Sequence, residues 1–176
     1  LPSQSNGEGI NTNNNSKRTW VNQFLPVELT RGLFSFIIQH KEGYLPEAKT
    51  LDNNFVKKLD HIVIKTNNAD SFIDVYNKIF DIRLALDKFI ETWKRRILFF
   101  RLNKTTIEVI EEKDESKISK DILWGLAWEV DDINKKIDEL VADGKDVSEI
   151  KKGVKENTLV ATIKSHTHNV PTLLIQ

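Results

Sequence analysis

A carboxylate in the middle of an apolar run is the first residue of this chain that asks for a chemical explanation. Glu108 stands in Thr106-Ile107-Glu108-Val109-Ile110-Glu111 and, by strand alternation, shares a face with Thr106 and Ile110. Burying such a group costs free energy unless it is paired or bound. Glu108 therefore reads as a ligand, a base or an acceptor in a cleft. The plain alternative is a salt bridge to Arg96 or Arg101, or exposure at a strand end. His61, in Leu59-Asp60-His61-Ile62-Val63-Ile64, shares its face with Val63 and Lys65. Its imidazole can take part in acid–base work with Glu108, or simply hydrogen-bond to it. Glu129 shares a face with Gly125 and Ala127, whose small side chains leave room for a ligand. It is a second candidate acid or base; otherwise it caps the following helix or meets solvent. His166 and His168 fall on one side of Ser165-His166-Thr167-His168-Asn169 if the strand extends that far. There they can ligate a metal; the plain alternative is a turn before the next strand. His40, at the end of an upstream strand run, is a weaker candidate still.

The elements that must hold these residues follow from hydrophobic period. Residues 59–66 alternate around β-branched side chains and read as a strand. Asn67 or Asn68 offers an N-cap, and Phe72, Val75, Tyr76, Ile79 and Phe80 then follow the spacing of an amphipathic helix. Strands are expected over Ile82–Phe89, Arg96–Leu102 and Thr105–Glu111, with Asn103-Lys104 as a tight turn. The same order returns about 64 residues later, a period that calls for a repeat. Trp124–Val130 is a strand, and Asp131 or Asp132 caps a helix bearing Ile133, Ile137, Leu140 and Val141. Gly144 ends that helix, and strands follow near 146–151, 158–165 and 170–175. Trp124 and Trp128 lie on the face opposite Gly125 and are expected to pack against helices. The result is an α+β fold of paired βαβββ modules, 58–112 and 122–176.

Upstream, residues 1–15 are Asn, Ser, Gly and Gln with little apolar content and read as a loop or disordered lead-in. Residues 16–42 read as two strands, and 43–57, with Pro46 and Asn53-Asn54, as a linker. Phe36-Ile37-Ile38-Gln39 echoes Leu173-Leu174-Ile175-Gln176. So 16–42 are either the end of an upstream module or a hairpin added at the domain edge. The absence of methionine, even at position 1, makes a fragment or a processed product the expected origin of the chain.

Composition excludes several classes. The 26 basic and 26 acidic residues balance, so there is no basic stripe for nucleic acid. The absence of cysteine removes thiol catalysis, disulfide scaffolds and Cys-based zinc sites, and fits a cytoplasmic protein. No apolar run approaches a membrane span.

In their order and spacing, these segments resemble the vicinal oxygen chelate superfamily, the glyoxalase, bleomycin-resistance and extradiol-dioxygenase group. Leu59-Asp60-His61-Ile62-Val63-Ile64 looks like its first strand and Ile107-Glu108-Val109-Ile110-Glu111 its fourth. Leu126-Ala127-Trp128-Glu129-Val130-Asp131-Asp132 looks like the opening of its second module. Trp124-Gly125-Leu126-Ala127-Trp128, Asp146-Val147-Ser148-Glu149 and Val170-Pro171-Thr172-Leu173-Leu174-Ile175 look like an uncharacterised bacterial glyoxalase-like branch. The resemblance covers 58–176 and implies a curled mixed sheet forming a cup, with helices on its outer face. It implies one divalent metal (Zn, Fe, Mn or Ni) in the cup, held here by His61 and Glu108, acting as a Lewis acid. The second module departs from the pattern, with Gly125 where a His is expected and Leu174 where the closing Glu is expected.

The resemblance also implies a substrate side lined by Trp93, Arg96, Gly125 and His166, with Glu108 and Glu129 as catalytic carboxylates. The expected activity is that of a metal-dependent lyase, isomerase or dioxygenase on a small oxygen-rich metabolite. A non-catalytic binding or sequestering protein and a structural module of a tandem-domain protein stand beside it. A homodimer, or pairing with an upstream module, is the expected assembly.

Overall fold

The computed structural model describes residues 3–45, 56–114 and 119–176, in two compact units that divide near residue 50. The expected linker 43–57 lies largely outside the described residues.

The first unit is an antiparallel meander of β1 (Gln4–Ile10), β2 (Lys17–Phe24) and β3 (Phe36–Glu42). The two expected strands are present, but β1 corrects the expected lead-in. Backbone ladders do not need apolar side chains, and all seven β1 residues pair with β2. Gly7 lies opposite Trp20, where a Cβ would come within 2.3 Å of the indole. Glycine is what lets the ring lie flat over the strand.

The second unit is a curled eight-stranded sheet in the order β5-β6-β7-β4-β8-β11-β10-β9. Its first module contains β4 (Val56–Thr66), α1 (Ala69–Ile73), β5 (Arg83–Ile90), β6 (Arg95–Leu102) and β7 (Thr105–Glu111). The second contains β8 (Ile122–Val130), α2 (Ile133–Ala142), β9 (Lys151–Lys152), β10 (Leu159–Ile163) and β11 (Thr172–Ile175). In each module the last strand pairs parallel to the first, β7 with β4 and β11 with β8. The two first strands then join antiparallel at the centre of the sheet.

Both helices lie on one side. Phe72 is fully buried against Phe100 and stacks on Tyr76 at 4.1 Å between centroids. In the second module Ile133 packs with Val130, Ala161 and Leu174, and Trp128, Ile137 and Leu140 close the cluster. Burying a side chain of this size contributes roughly 1.5–3 kcal/mol, so these two clusters anchor the helices.

The first helix departs from the expected uniform stripe. After Ile73 it continues as a π-helix over Asp74–Ile79, with Phe80 N–H bonded to the Val75 carbonyl at 3.1 Å. The wider turn takes Ile79 off the buried face. The second helix ends as expected: Gly144 has φ +75°, and Lys145 N–H reaches the Leu140 carbonyl at 2.8 Å. The expected strand at 146–151 is reduced to a single bridge, Val147 to Ile163, and the short β9.

The repeat extends to its fastenings. Asn68 and Asp132 cap their helices by accepting from Ser71 and Lys135 N–H. Glu111 Oε1 accepts from Ala69 N–H at 3.0 Å, and Gln176 Oε1 from Ile133 N–H at 2.8 Å. Thus the last residue of β7, and the residue that follows β11, each reach back to the first turn of their module's helix. A helix-start acceptor of this kind is worth about 1 kcal/mol. Glu111→Ala and Gln176→Ala should each lower unfolding free energy by about that amount, read as a shift in the urea midpoint.

Candidate functional site

The register of the central strands brings the chemistry together. His61, Val63 and Lys65 of β4 share the face away from the helices with Thr106, Glu108 and Ile110 of β7. Ile97, Phe99 and Arg101 of β6 continue it. On this face His61 Nε2 lies 3.5 Å from Glu108 Oε2, and the two side chains are 15% and 16% exposed. The other ring nitrogen, Nδ1, is 2.9 Å from Asp60 Oδ2. One imidazole thus stands between two carboxylates.

Desolvation by the surrounding sheet raises the Glu108 pKa, and the positive charge His61 can carry opposes that rise. A buried acid with a raised pKa beside an imidazole is a poised proton donor and acceptor.

Two β-bulges shape the site. Leu59 pairs with Trp128 and His61 with Ala127, so Asp60 is an extra residue in β4. Val63 pairs with Gly125 and Ile64 with Leu123, so Trp124 is the extra residue in β8. The two bulges occupy equivalent places in the two modules. A bulge re-aims the side chain it carries. Asp60 turns towards His61, and the Trp124 ring receives Lys65 Nζ at 4.3 Å. This corrects the expectation that Trp124 packs on a helix: it is 40% exposed, and only Trp128 joins the helix-side cluster.

Other expected site residues are placed differently. Arg96 is on the helix side, with Nε and Nη2 on the two Asp87 oxygens at 2.8 and 2.7 Å and Nη1 on Asp70 at 2.8 Å. These bonds raise the Arg96 pKa and lower that of Asp87, and they commit the guanidinium to structure rather than to substrate. Glu129 is 3.0 Å from Lys58 Nζ, which lies 3.9 Å from Asp60 Oδ1. It stands at the outer end of the charged chain rather than against His61. Trp93 is half-exposed in the turn between β5 and β6. His166 and His168 are exposed in a turn, both with positive φ, because β10 stops at Ile163.

Gly125 leaves no opening. A Cβ there would sit 2.9 Å from the Pro171 carbonyl oxygen, so the missing side chain accommodates backbone. The partner of Ala127 in β11 is Leu173, as Glu108 is the partner of Val63. Leu173, not Leu174, therefore stands in the place of the closing Glu; Leu174 points into the helix-side core.

The fit to a divalent metal follows from this donor set. His61 Nε2 and Glu108 are close enough to share an ion, but Gly125 and Leu173 supply nothing and Asp60 is on the far side of the ring. Among the described residues no three His, Asp or Glu side chains converge. Catalytic zinc usually keeps three protein ligands, so the residues present do not fit a resident metal.

Arg101 was legible only as an ion-pair partner of Glu108. It bonds instead to Thr106 Oγ1 at 2.6 Å, beside His61 in the ladder, and among the described residues pairs with no carboxylate. Two open cavities, of about 430 and 800 Å³, lie elsewhere, one around Trp20 and the other around Leu59, Ile62 and Lys104. Neither is lined by His61 or Glu108.

A family model described as the glyoxalase/bleomycin resistance protein/dioxygenase superfamily matches residues 60–162. No curated protein matches the chain. Among solved structures, methylmalonyl-CoA epimerase from Mycobacterium tuberculosis is similar at 19% identity, over 72% of this chain and 91% of that one, with a TM-score of 0.60. A hypothetical protein from Bacillus halodurans matches at 20% identity over 67% and 92%, TM-score 0.58. Streptomyces coelicolor methylmalonyl-CoA epimerase in complex with 2-nitronate-propionyl-CoA matches at 16% over 69% and 94%, TM-score 0.58. At these identities the likeness is one of fold.

Two outcomes are expected. The fold favours protonated Glu108, a stabilisation fully present below the unfolded value of about pH 4.3 and lost as pH rises through the raised one. Glu108→Gln should therefore be at least as stable as wild type at neutral pH and lose this part of the pH dependence, measured by thermal melts across pH. Protein equilibrated with zinc, nickel, manganese or iron and then desalted should hold substoichiometric metal by elemental analysis. A stoichiometric ion removed by His61→Ala would show that a further donor completes the set.

Proposed function

The chain belongs to the glyoxalase/bleomycin resistance protein/dioxygenase superfamily, and from that premise we propose that its cup isomerises a small oxygen-rich metabolite by proton transfer next to a carbonyl. The observation that carries this reading is the Glu108 carboxyl, 16% exposed and 3.5 Å from His61 Nε2. Ionised Glu108 would take a proton from the substrate carbon, leaving an enolate and a Glu108 carboxylic acid. Return of that proton to the other face of the carbon, or to the neighbouring one, completes the isomerisation. His61 Nε2 can take up the proton that Glu108 has gained and return it. Arg101, with no acidic partner among the described residues, supplies positive charge on the same face for the enolate or a substrate carboxylate. Epimerases among the similar structures support this class of reaction.

A second reading is capture without turnover. It is favoured by the second module, where Gly125, Ala127 and Leu173 offer no donor and Glu129 is held by Lys58. For the first unit, the meander order β1-β2-β3 matches β5-β6-β7, which supports its reading as the closing strands of a further module. Pairing of that unit with another module, or of two copies of the chain, is part of the same reading. Among the described residues no helix is long and apolar enough to cross a membrane; with the cysteine-free composition, a cytoplasmic setting is the one we propose.

Incubation in D₂O with a panel of carbonyl compounds bearing an acidic α-hydrogen, methylmalonyl-CoA among them, tests the assignment by proton NMR. Wild type should wash deuterium into the α-position of at least one, and Glu108→Gln should slow it roughly 10²–10⁴-fold. Binding of a panel member without exchange would favour capture.

A further inference from the structure

We propose that Asp60 is a positioning residue for this site, holding His61 as the Nδ1–H tautomer so that Nε2 faces Glu108 as a proton acceptor. The role of that nitrogen in turnover rests on the proton-transfer reading above; the tautomer itself does not.

A neutral imidazole has one N–H to give, and the hydrogen bond made by one nitrogen decides the state of the other. His61 has two carboxyl neighbours. Asp60 Oδ2 is at 2.9 Å from Nδ1, a full hydrogen bond, whereas Glu108 Oε2 is at 3.5 Å from Nε2. The proton therefore resides on Nδ1, donated to Asp60, and Nε2 presents its lone pair to Glu108.

The backbone is built for this contact. Regular alternation would point Asp60 and His61 to opposite sides of the sheet. The bulge at Asp60 breaks that alternation immediately before the imidazole. The charged groups around Asp60 are Lys58, 3.9 Å from Oδ1, and Glu129, which holds Lys58 at 3.0 Å. The equivalent bulge in the second module carries Trp124, and the residue after it is Gly125. The device thus carries a carboxylate only where there is an imidazole to orient. In proton transfer an unpaired Nε2 can relay the proton to and from Glu108; an Nε2–H could not accept it.

Long-range ¹H–¹⁵N spectra of uniformly labelled full-length protein read the tautomer directly, with His61→Gln assigning the resonance. In mildly alkaline buffer, above the ordinary imidazole range, wild-type His61 should show a protonated Nδ1 and an unprotonated Nε2. Asp60→Asn, which keeps an acceptor oxygen, should preserve that pattern. Asp60→Leu should shift His61 towards Nε2–H while leaving the other histidines unchanged. Protonated Nε2 in the wild type, as neutral ring or imidazolium, overturns the proposal without any variant. So does an unchanged tautomer in a folded Asp60→Leu. Failure of the function is separately visible: an unaffected Glu108→Gln turnover would sink the proton-transfer reading while leaving the His61 tautomer where it is.

Discussion

A carboxyl group on a dry sheet face can be kept only if a neighbour shares its charge or its proton, and Glu108 has that neighbour in His61. This requirement constrains much of the rest. The parallel pairing of β7 with β4 sets the row in which the two residues meet. Behind them, on the helix side, Phe72 of α1 packs on Phe100 of β6. The cost of holding the acid there appears as its raised pKa.

The two modules share a backbone plan but not a set of donors. Strand order, helix caps, end-of-strand fastenings and central bulges all recur, while the side chains facing the cup do not. In the first module these are His61, Glu108, Thr106 and Arg101; in the second, Gly125, Ala127, Leu173 and a Glu129 held by Lys58. A metal chelated symmetrically by both halves would need donors from each, and Gly125 and Leu173 offer none at the places equivalent to His61 and Glu108.

The fold was legible in the sequence because it rests on period and capping, which are local. Phe72 and Tyr76, Asn68, Asp132 and Gly144 all act as their spacing implies. His61 and Glu108 were legible for the same reason: strand alternation and an acid out of place among apolar neighbours. The losses are where alternation breaks. No residue type announces a bulge, so alternation alone puts Trp124 on the helix side and gives no sign that Asp60 meets His61. Arg96 was misplaced because its parity in β6 puts it with Leu98 and Phe100, under α1. Leu174 was named where Leu173 stands because a one-residue change in spacing between the modules exchanges the two faces of β11. The seven-residue pairing of β1 was hidden by its polar composition.

The reach of Glu111 and Gln176 back to their own helices has a consequence for ancestry. Each half carries the bond that latches its end to its beginning, so a copied gene segment arrives already self-closing. A lineage can then add, drop or exchange such halves with little repair at the seams.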